Sequence, residues 1–474
     1  MASRAVFTFP IDTELLPHDF DHLFAFINYN YILPSVEQFA DVKRTAGNNI
    51  PVLSFTAISP QGNWYVYTEI TAGKPIRVKM TPSLGTTKET LDELKEDLII
   101  NVQLFEERIR ETILYFTWIE GEKIIPERPP QRRNRLIRRL FSGSMLPFFI
   151  IIIAASILLS FVFGQYLPIA LVAFQLLTVL VSDKILIRTG DWRVTEKNPT
   201  VHLFEYHLPV EEHGDFLKKF NADTLTKIKT EVYEKTFAAG KALDCEAVAE
   251  IMSRYGFECR PDWMSAKRVN IYEIVKNASA RFGLPMPRIA IVNTMLPNAA
   301  ASGPSPSRGV VLITTGLLVQ LEDDEILSVV GHEFSHLKGR DPLVLFGLTS
   351  GEYLLRVYVL WPFLVAFGLF YLFVSLGLVY FVAKFFEARA DLESAIRMGK
   401  PKILAEALEK IGFHRLQSER LPSYRILEWT GFDPHPPIYF RIARLERLQA
   451  PEEIRHPLIQ SMKDNIRGFF AAFG

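Results

Sequence analysis

Hydrophobic positions along this chain change period several times, and each change marks a predicted element. Val52-Leu-Ser-Phe-Thr-Ala-Ile58 and Trp64-Tyr-Val-Tyr-Thr-Glu-Ile70 are β-branched and aromatic runs separated by Ser59-Pro-Gln-Gly-Asn63, a hairpin signal. Ile76-Arg-Val-Lys-Met80 alternates as a third strand. From Thr87 to about Trp118 the spacing turns helical, with Leu91, Leu94, Leu98, Val102, Phe105, Ile109 and Ile113 on one side. Two uncharged runs come next, Met145 to Phe163 and Leu167 to Val181 or a little beyond. At about 1.5 Å per residue they suit two crossings of a bilayer core, with Gly164-Gln-Tyr166 as the turn between them. Ser265 to Phe282 reads as a helix stopped by Gly283, and Arg288–Val292 and Gly309–Ile313 as short strands joined by a loop. Ile326, Leu327, Val330, Phe334 and Leu337 mark a helix, with the acidic stretch Glu322 to Glu325 suited to its N-terminus. After Asp341-Pro342 a second apolar block runs to Phe386; Glu352 and Arg356, four apart, are placed to pair within it.

Charge orients the apolar runs. Arg128 to Arg139 packs six arginines ahead of the first run, and Asp183, Lys184, Arg188 and Arg193 follow the second, whereas the turn is uncharged. The hairpin is therefore expected to start and end on the cytosolic side. Formal net charge is +0 over 474 residues, which removes any argument for nucleic acid as a partner. Cys245 and Cys259, the only cysteines, are too few for a disulfide scaffold and suggest a reducing environment. The first residues lack an apolar core of signal-peptide length.

The chemistry concentrates in Gly331-His332-Glu333-Phe334-Ser335-His336. Imidazoles four apart on one helical face reach a single tetrahedral Zn²⁺, and Glu333, one residue round, is placed to hold the water that the metal polarises. A catalytic zinc takes three protein ligands and one open position. Glu387 and Asp391 are also four apart on a second predicted helix, so one carboxylate can bind metal while the other orients a ligand. Asp341, five residues after His336, is another orienting candidate. His202, His207 and His213 are irregularly spaced and read as structural or surface residues.

These motifs together resemble the M48 metallopeptidases, which include HtpX-type heat-shock proteases and CAAX prenyl proteases. Asn298-Ala-Ala-Ala-Ser-Gly303 is similar to the family's N-A-x-A-[TS]-G segment and Val311 to Leu318 to its strand and T-x-G-L-L turn. His332 to His336 with Asp341, Glu387 to Asp391 as E-x-x-A-D, and His435-Pro-Pro437 with Arg441-Ile442 follow in the family's order, over about residues 266 to 448. The resemblance implies metal ligation by His332, His336 and Glu387, with Asp341 and Asp391 behind them. It also implies Glu333 as the base, and Asn298, Ala299, Ala300 and Ala301 as a segment beside the zinc that receives substrate backbone. His435 and Arg441 are the two candidates for stabilising the oxyanion.

The expected fold is therefore mainly α with small β-sheets: an integral-membrane, gluzincin-type zinc protease with about four transmembrane helices and an N-terminal α+β accessory region. The expected division is 1–125 accessory, 126–190 basic linker and transmembrane hairpin, 191–285 soluble and helical, and 286–474 protease domain with an inserted hairpin at about 343–386. One Zn²⁺ per chain, a polypeptide substrate including membrane proteins, and the lipid bilayer are the expected cofactor and partners. The site should face the cytoplasm from a multi-pass protein of the plasma (inner) membrane. Because His336 precedes the second apolar block and Glu387 follows it, one ion held by both requires an even number of crossings between them. A CAAX-type prenyl protease is the alternative enzyme, although that group has more spans; an inert membrane scaffold would not need Glu333.

Overall fold

The computed structural model describes residues 6–47, 50–110, 112–125, 154, 157–159, 161–207, 222–241, 243–256, 260–449 and 451–473. The basic run Arg128 to Arg139, most of Met145 to Phe163, and His213 lie outside them. The chain divides into two compact units. One comprises Met1–Tyr115, Glu205–Lys219 and Ala242–Ser265; the other comprises Phe116–Phe204, Phe220–Lys241 and Ala266–Gly474.

The first unit is built on a five-stranded antiparallel sheet of β1 (Phe7–Ile11), β2 (Phe39–Gly47), β3 (Ile50–Ile58), β4 (Tyr65–Thr71) and β5 (Ile76–Pro82), in the order β1-β5-β4-β3-β2. Alternation decides its inner face: Val66, Thr68 and Ile70 of β4 are buried, while Tyr65 and Tyr67 point outward. Helices α1 (Phe20–Ile27) and α2 (Lys88–Arg110) join the sheet in one core, in which Leu94, Leu98, Val102 and Phe105 share a cluster with Leu53, Phe55, Val78 and Met80. The helix expected to reach Trp118 stops at Arg110. Ile113-Leu-Tyr-Phe-Thr-Trp-Ile119 is strand β6, because a β-branched and aromatic run fits a pleated, buried surface better than a helix face.

In the second unit α3 (Leu167–Leu180) leads into α4 (Ser182–Thr189) and strand β7 (Trp192–Val194), then β8 (Thr200–His207) and helix α5 (Ala222–Lys235). Helix α6 (Cys245–Arg254) belongs to the first unit. Strands β6, β8 and β9 (Met264–Asn270) form a sheet in that order, so residues 191–285 contribute strands as well as helices. The helix expected from Ser265 begins only at α7 (Ile271–Phe282), where the Asn270 side chain caps the Glu273 N–H at 3.0 Å. The sheet beside the site has the order β11-β12-β10-β7, with β10 (Arg288–Val292) parallel to β12 (Val310–Thr314). The expected loop between them contains a strand of its own, β11 (Ala299–Ser302), antiparallel to β12 and at the sheet's edge. Four consecutive residues of β12, Val310 to Ile313, are fully buried, as a strand covered on both faces must be.

The helices that follow are α8 (Thr315–Gln320), α9 (Asp323–Gly339), α10 (Asp341–Tyr358), α11 (Trp361–Phe367), α12 (Leu369–Met398), α13 (Pro401–Glu419), α14 (Pro422–Thr430), α15 (Ile438–Glu446) and α16 (Pro457–Ala471). The described chain is thus mainly helical with small sheets. Among the described residues one helical run, Ile157–Leu180, is long and apolar enough to cross a membrane. It passes through Gly164–Tyr166 as a 3-10 turn rather than ending there, because Pro168 is at home in the first turn of α3. The pair α10 and α11, bent by 75°, would count as a second if taken as one broken span. Among the described residues Cys245 is disulfide-bonded and no cysteine is free, so the cysteine count no longer argues for a reducing environment.

Candidate metal centre

Helix α9 sets the first two side chains. Its entry is fixed by the Glu322 N–H donating to the Glu325 carboxylate at 2.8 Å, with Asp323 and Asp324 also in the first turn. Its exit is Arg340, held at φ 51°, which turns the chain so that the Asp341 carboxylate returns to His336 Nδ1 at 2.7 Å. Gly339 permits that return: a Cβ there would lie 2.4 Å from Asp341 Oδ1 and 2.5 Å from the Arg389 guanidinium. Gly331 does the same on the inner face, where a Cβ would meet Ser394 Oγ at 2.8 Å and so push α9 off α12 beside His332.

Helix α12 runs unbroken from its apolar half into the site and delivers Glu387 and Asp391 on one face. His332 Nε2 and His336 Nε2 are 3.2 Å apart, His332 Nε2 lies 3.4 Å from Glu387 Oε2, and His336 Nε2 lies 3.5 Å from Glu387 Oε1. Among the described residues these three side chains form the one cluster of potential ligand atoms, all within 4.8 Å of one another. His435 joins from the segment before α15, with Nε2 at 3.5 Å from Glu387 Oε2.

All three histidines are held alike. Each turns Nδ1 to an aspartate: His336 to Asp341 at 2.7 Å, His332 to Asp391 at 2.9 Å, His435 to Asp433 at 2.8 Å. An arginine faces each aspartate in turn. Arg389 reaches Asp341 at 2.7 and 2.9 Å, Arg441 reaches Asp391 at 2.6 and 2.8 Å, and Arg415 lies 3.3 Å from Asp433. With Nδ1 hydrogen-bonded to a carboxylate in His336 and His435, and 2.9 Å from one in His332, the Nε2 atoms are the ring nitrogens turned inward. The Lys384 ammonium also donates to the Asp433 carbonyl, tying the His435 segment to α12.

The electrostatics follow from this convergence. Burial opposes charge on His332, yet the Asp391 and Glu387 carboxylates outweigh it and push its pKa up to about 10. His336 is raised too: burial again opposes, and Glu387 and Asp341 prevail. Burial works against the Glu387 carboxylate, but His435, His336 and His332 draw its pKa well below the usual range. Glu333 is raised, chiefly by burial; its Oε2 accepts from the Ala301 N–H at 2.7 Å.

Two inward ring nitrogens 3.2 Å apart beside an anionic carboxylate call for a cation. Ligand atoms held tetrahedrally at ~2.0–2.1 Å from Zn²⁺ are ~3.3 Å apart, close to the three separations observed. Buried Glu387 Oε2 accepts no hydrogen bond. His332, His336 and Glu387 therefore fit a metal of this kind, with Glu333 beside it and not within the cluster.

The remaining expected residues fall at different distances from this centre. Arg441 is buried against Asp391 and so supports His332, which leaves His435 as the oxyanion candidate that faces Glu387. Asn298, bonded to Thr314, leads into β11, where Ala301 reaches the site through its backbone. Arg389, Arg415 and Asp433 were not foreseen. The signal for Asp433 was an acidic side chain two residues before His435; Arg389 stood in plain view inside Glu387-Ala-Arg-Ala-Asp391. His202 is held by Glu120 at 2.9 Å, and among the described residues no metal cluster includes it or His207.

A model of peptidase family M48 matches residues 265–449. The HtpX protease homologue of Moorella thermoacetica is 33% identical over 235 residues, which are 40% of this chain and 78% of that protein. A second HtpX protease homologue, from Methanosarcina acetivorans, is 33% identical over 216 residues, 38% of this chain and 72% of the relative. The HtpX protease homologue of Methanopyrus kandleri matches at 33% over 234 residues, 42% and 71% of the two chains.

Proposed function

Because the chain belongs to peptidase family M48 and is an HtpX-like metalloprotease, we propose that it is a membrane-embedded zinc endopeptidase acting on damaged or misfolded membrane proteins. The observation that carries the reading is the triangle of His332 Nε2, His336 Nε2 and Glu387 with edges of 3.2 to 3.5 Å. A bound zinc supplies Lewis acidity toward the scissile carbonyl and lowers the pKa of a bound water. Glu333 takes the proton from the attacking water and hands it to the leaving amine; burial and the Ala301 N–H tune and aim its carboxylate. His435, aligned by Asp433, donates toward the developing oxyanion. The open edge of β11 receives an extended substrate as an added strand, since main-chain hydrogen bonds hold any sequence in that form. The substrate class rests on the likeness to HtpX proteases.

Four crossings and a cytoplasmic site are proposed on two closures of the chain. Trp192 Nε1 donates to the Lys123 carbonyl at 2.8 Å, so the chain between them, which contains the apolar run, leaves and returns to the same side. His336 and Glu387 meet likewise across α10, α11 and the apolar half of α12. Each closure demands an even number of crossings, and the length of each segment fits two. Lys338 and Arg340 before the second segment and Lys384 and Arg389 at its end favour the cytoplasm for those ends by the positive-inside rule.

Glu333→Gln tests the chemistry: one zinc per chain should remain while peptidase turnover falls by a factor of order 10² or more. Unchanged turnover removes Glu333 as the base. Cysteine labelling from outside tests the topology. It should spare both Lys338 and Arg397; labelling at only one of the two would separate the halves of the site and remove the metal assignment.

A further inference from the structure

Helix α16 is amphipathic in the reverse sense for a helix packed on protein. Its fully buried residues are polar, Ser461 and Asn465 at 0% exposure. Ser461 Oγ accepts from Arg444 at 2.8 Å and Asn465 Nδ2 donates to the Lys384 carbonyl at 3.1 Å. On its open side Ile459, Met462, Ile466 and Phe470 recur at intervals of three and four, and Phe473 continues the stripe beyond the helix; Phe470 is 68% exposed. Lys463 and Arg467, both exposed, border the stripe. A soluble protein seldom turns a contiguous apolar face outward without a partner for it.

The contacts on α12 show where this face lies. Arg444 joins Ser461 to the Ala388 carbonyl, Asn465 is level with Lys384, and the Phe469 ring is 5.2 Å from Phe381. Each turn of α16 therefore travels one turn back along α12, away from Glu387 and into the apolar half, Leu369 to Phe386. Phe473, 5.0 Å from Phe469, is one turn further in. Further along the same half of α12, Phe370, Phe373 and Leu378 are exposed as well.

We infer that α16 is a membrane-dipping helix that docks its Ile466, Phe470 and Phe473 face into the acyl–headgroup boundary on the side of the metal centre. The inference rests on the membrane reading of α12. The bilayer is the occupant because the stripe runs into the apolar half of α12 and has cations along its border, where Lys463 and Arg467 reach anionic headgroups. A helix bonded at Ala388 and Lys384, either side of Glu387, then holds the metal centre at a set height above the membrane surface.

Spin labels on single cysteines at Ile466, Phe470, Arg467 and Leu177 test this in the full-length protein reconstituted in vesicles of phosphatidylcholine and phosphatidylglycerol. Cys245, being disulfide-bonded, does not take the label. The ratio of oxygen to nickel-complex accessibility at Ile466 and Phe470 should exceed that at Arg467 several-fold and approach that at Leu177 on α3. A water-like ratio at both positions, with Leu177 still lipid-like, overturns the docking and leaves the membrane reading intact. A water-like ratio at Leu177 as well overturns the membrane reading itself. Immobile labels with dipolar broadening would mean that a second copy covers the stripe, which also refutes the inference. None of the labelled positions touches the metal centre, so wild-type peptidase activity certifies each variant's fold; Phe473 replaces any position that fails this check.

Discussion

Asp391→Asn and Asp433→Asn change the same chemistry in the same kind of His–Asp–Arg arrangement, yet they should have different consequences. Each asparagine keeps the volume and one acceptor oxygen but loses the charge that orients a histidine. Asp391 holds His332, one of the three residues whose donor atoms converge within 4.8 Å, and it is itself gripped twice by Arg441. Loss of such an orienting carboxylate weakens metal binding by ~10- to 100-fold, or ~1.4–2.7 kcal/mol. A further ~3–5 kcal/mol of stability is lost because buried Arg441 is left without its anionic partner. Asp433 instead holds His435, which lies outside that cluster. Asp433→Asn should therefore leave metal affinity unchanged and lower kcat by about 10-fold or more, with little effect on KM. Zinc competition against a chromogenic chelator, peptidase kinetics and a thermal melt separate these outcomes. If Asp433→Asn loses metal as readily as Asp391→Asn, His435 is itself a ligand. If Asp391→Asn keeps wild-type affinity, the carboxylate does not orient His332.

Other expectations follow from particular contacts. Ala301→Pro removes the N–H that donates to Glu333 at 2.7 Å without taking a bond from β12, because that N–H points away from the strand; metal should stay while kcat falls by about 10-fold or more, and normal turnover would show that Glu333 needs no such tie. His332→Ala, His336→Ala and Glu387→Ala should each lose metal together with activity, and full zinc occupancy in Glu387→Ala would require another third ligand. Gly331→Ala drives a methyl toward Ser394 Oγ, and a loss of ~1–3 kcal/mol in thermal stability is expected; an unchanged melt would mean that α9 and α12 separate freely. In the first unit, burial lifts the Glu106 pKa from 4.5 to about 7. The folded state then binds the proton more tightly than the unfolded one, so its stability should fall as pH rises from about 4.5 to about 7 and level off above. Glu106→Gln should flatten that slope in hydrogen-exchange protection of α2, and a slope that persists would locate the proton elsewhere.

What the sequence determined by itself was local and periodic. Spacing of four on a helix brought His332 and His336 to one face, the family motif singled out Glu387, and alternation in β3, β4 and β5 defined a buried sheet face. These are properties of a few neighbouring residues, so they survive without knowledge of the rest. The end of α2 was misjudged because Ile113 fits a helical stripe and a strand equally well, and pairing in a sheet is a long-range choice. Strand β11 read as a loop for the same reason: four small residues acquire β structure only by pairing with β12. The positions of the arginines were equally hidden. Arg389 and Arg441 sit far from Asp341 and Asp391 along the chain, and only the packing of α9, α12 and α15 decides that each guanidinium meets its carboxylate. Helix α16 makes the point most plainly. A hydrophobic pattern specifies which side of a helix seeks an apolar partner, not what that partner is. The polar side of α16 is bonded to Arg444 and Lys384, and that tertiary fact left the apolar side facing outward.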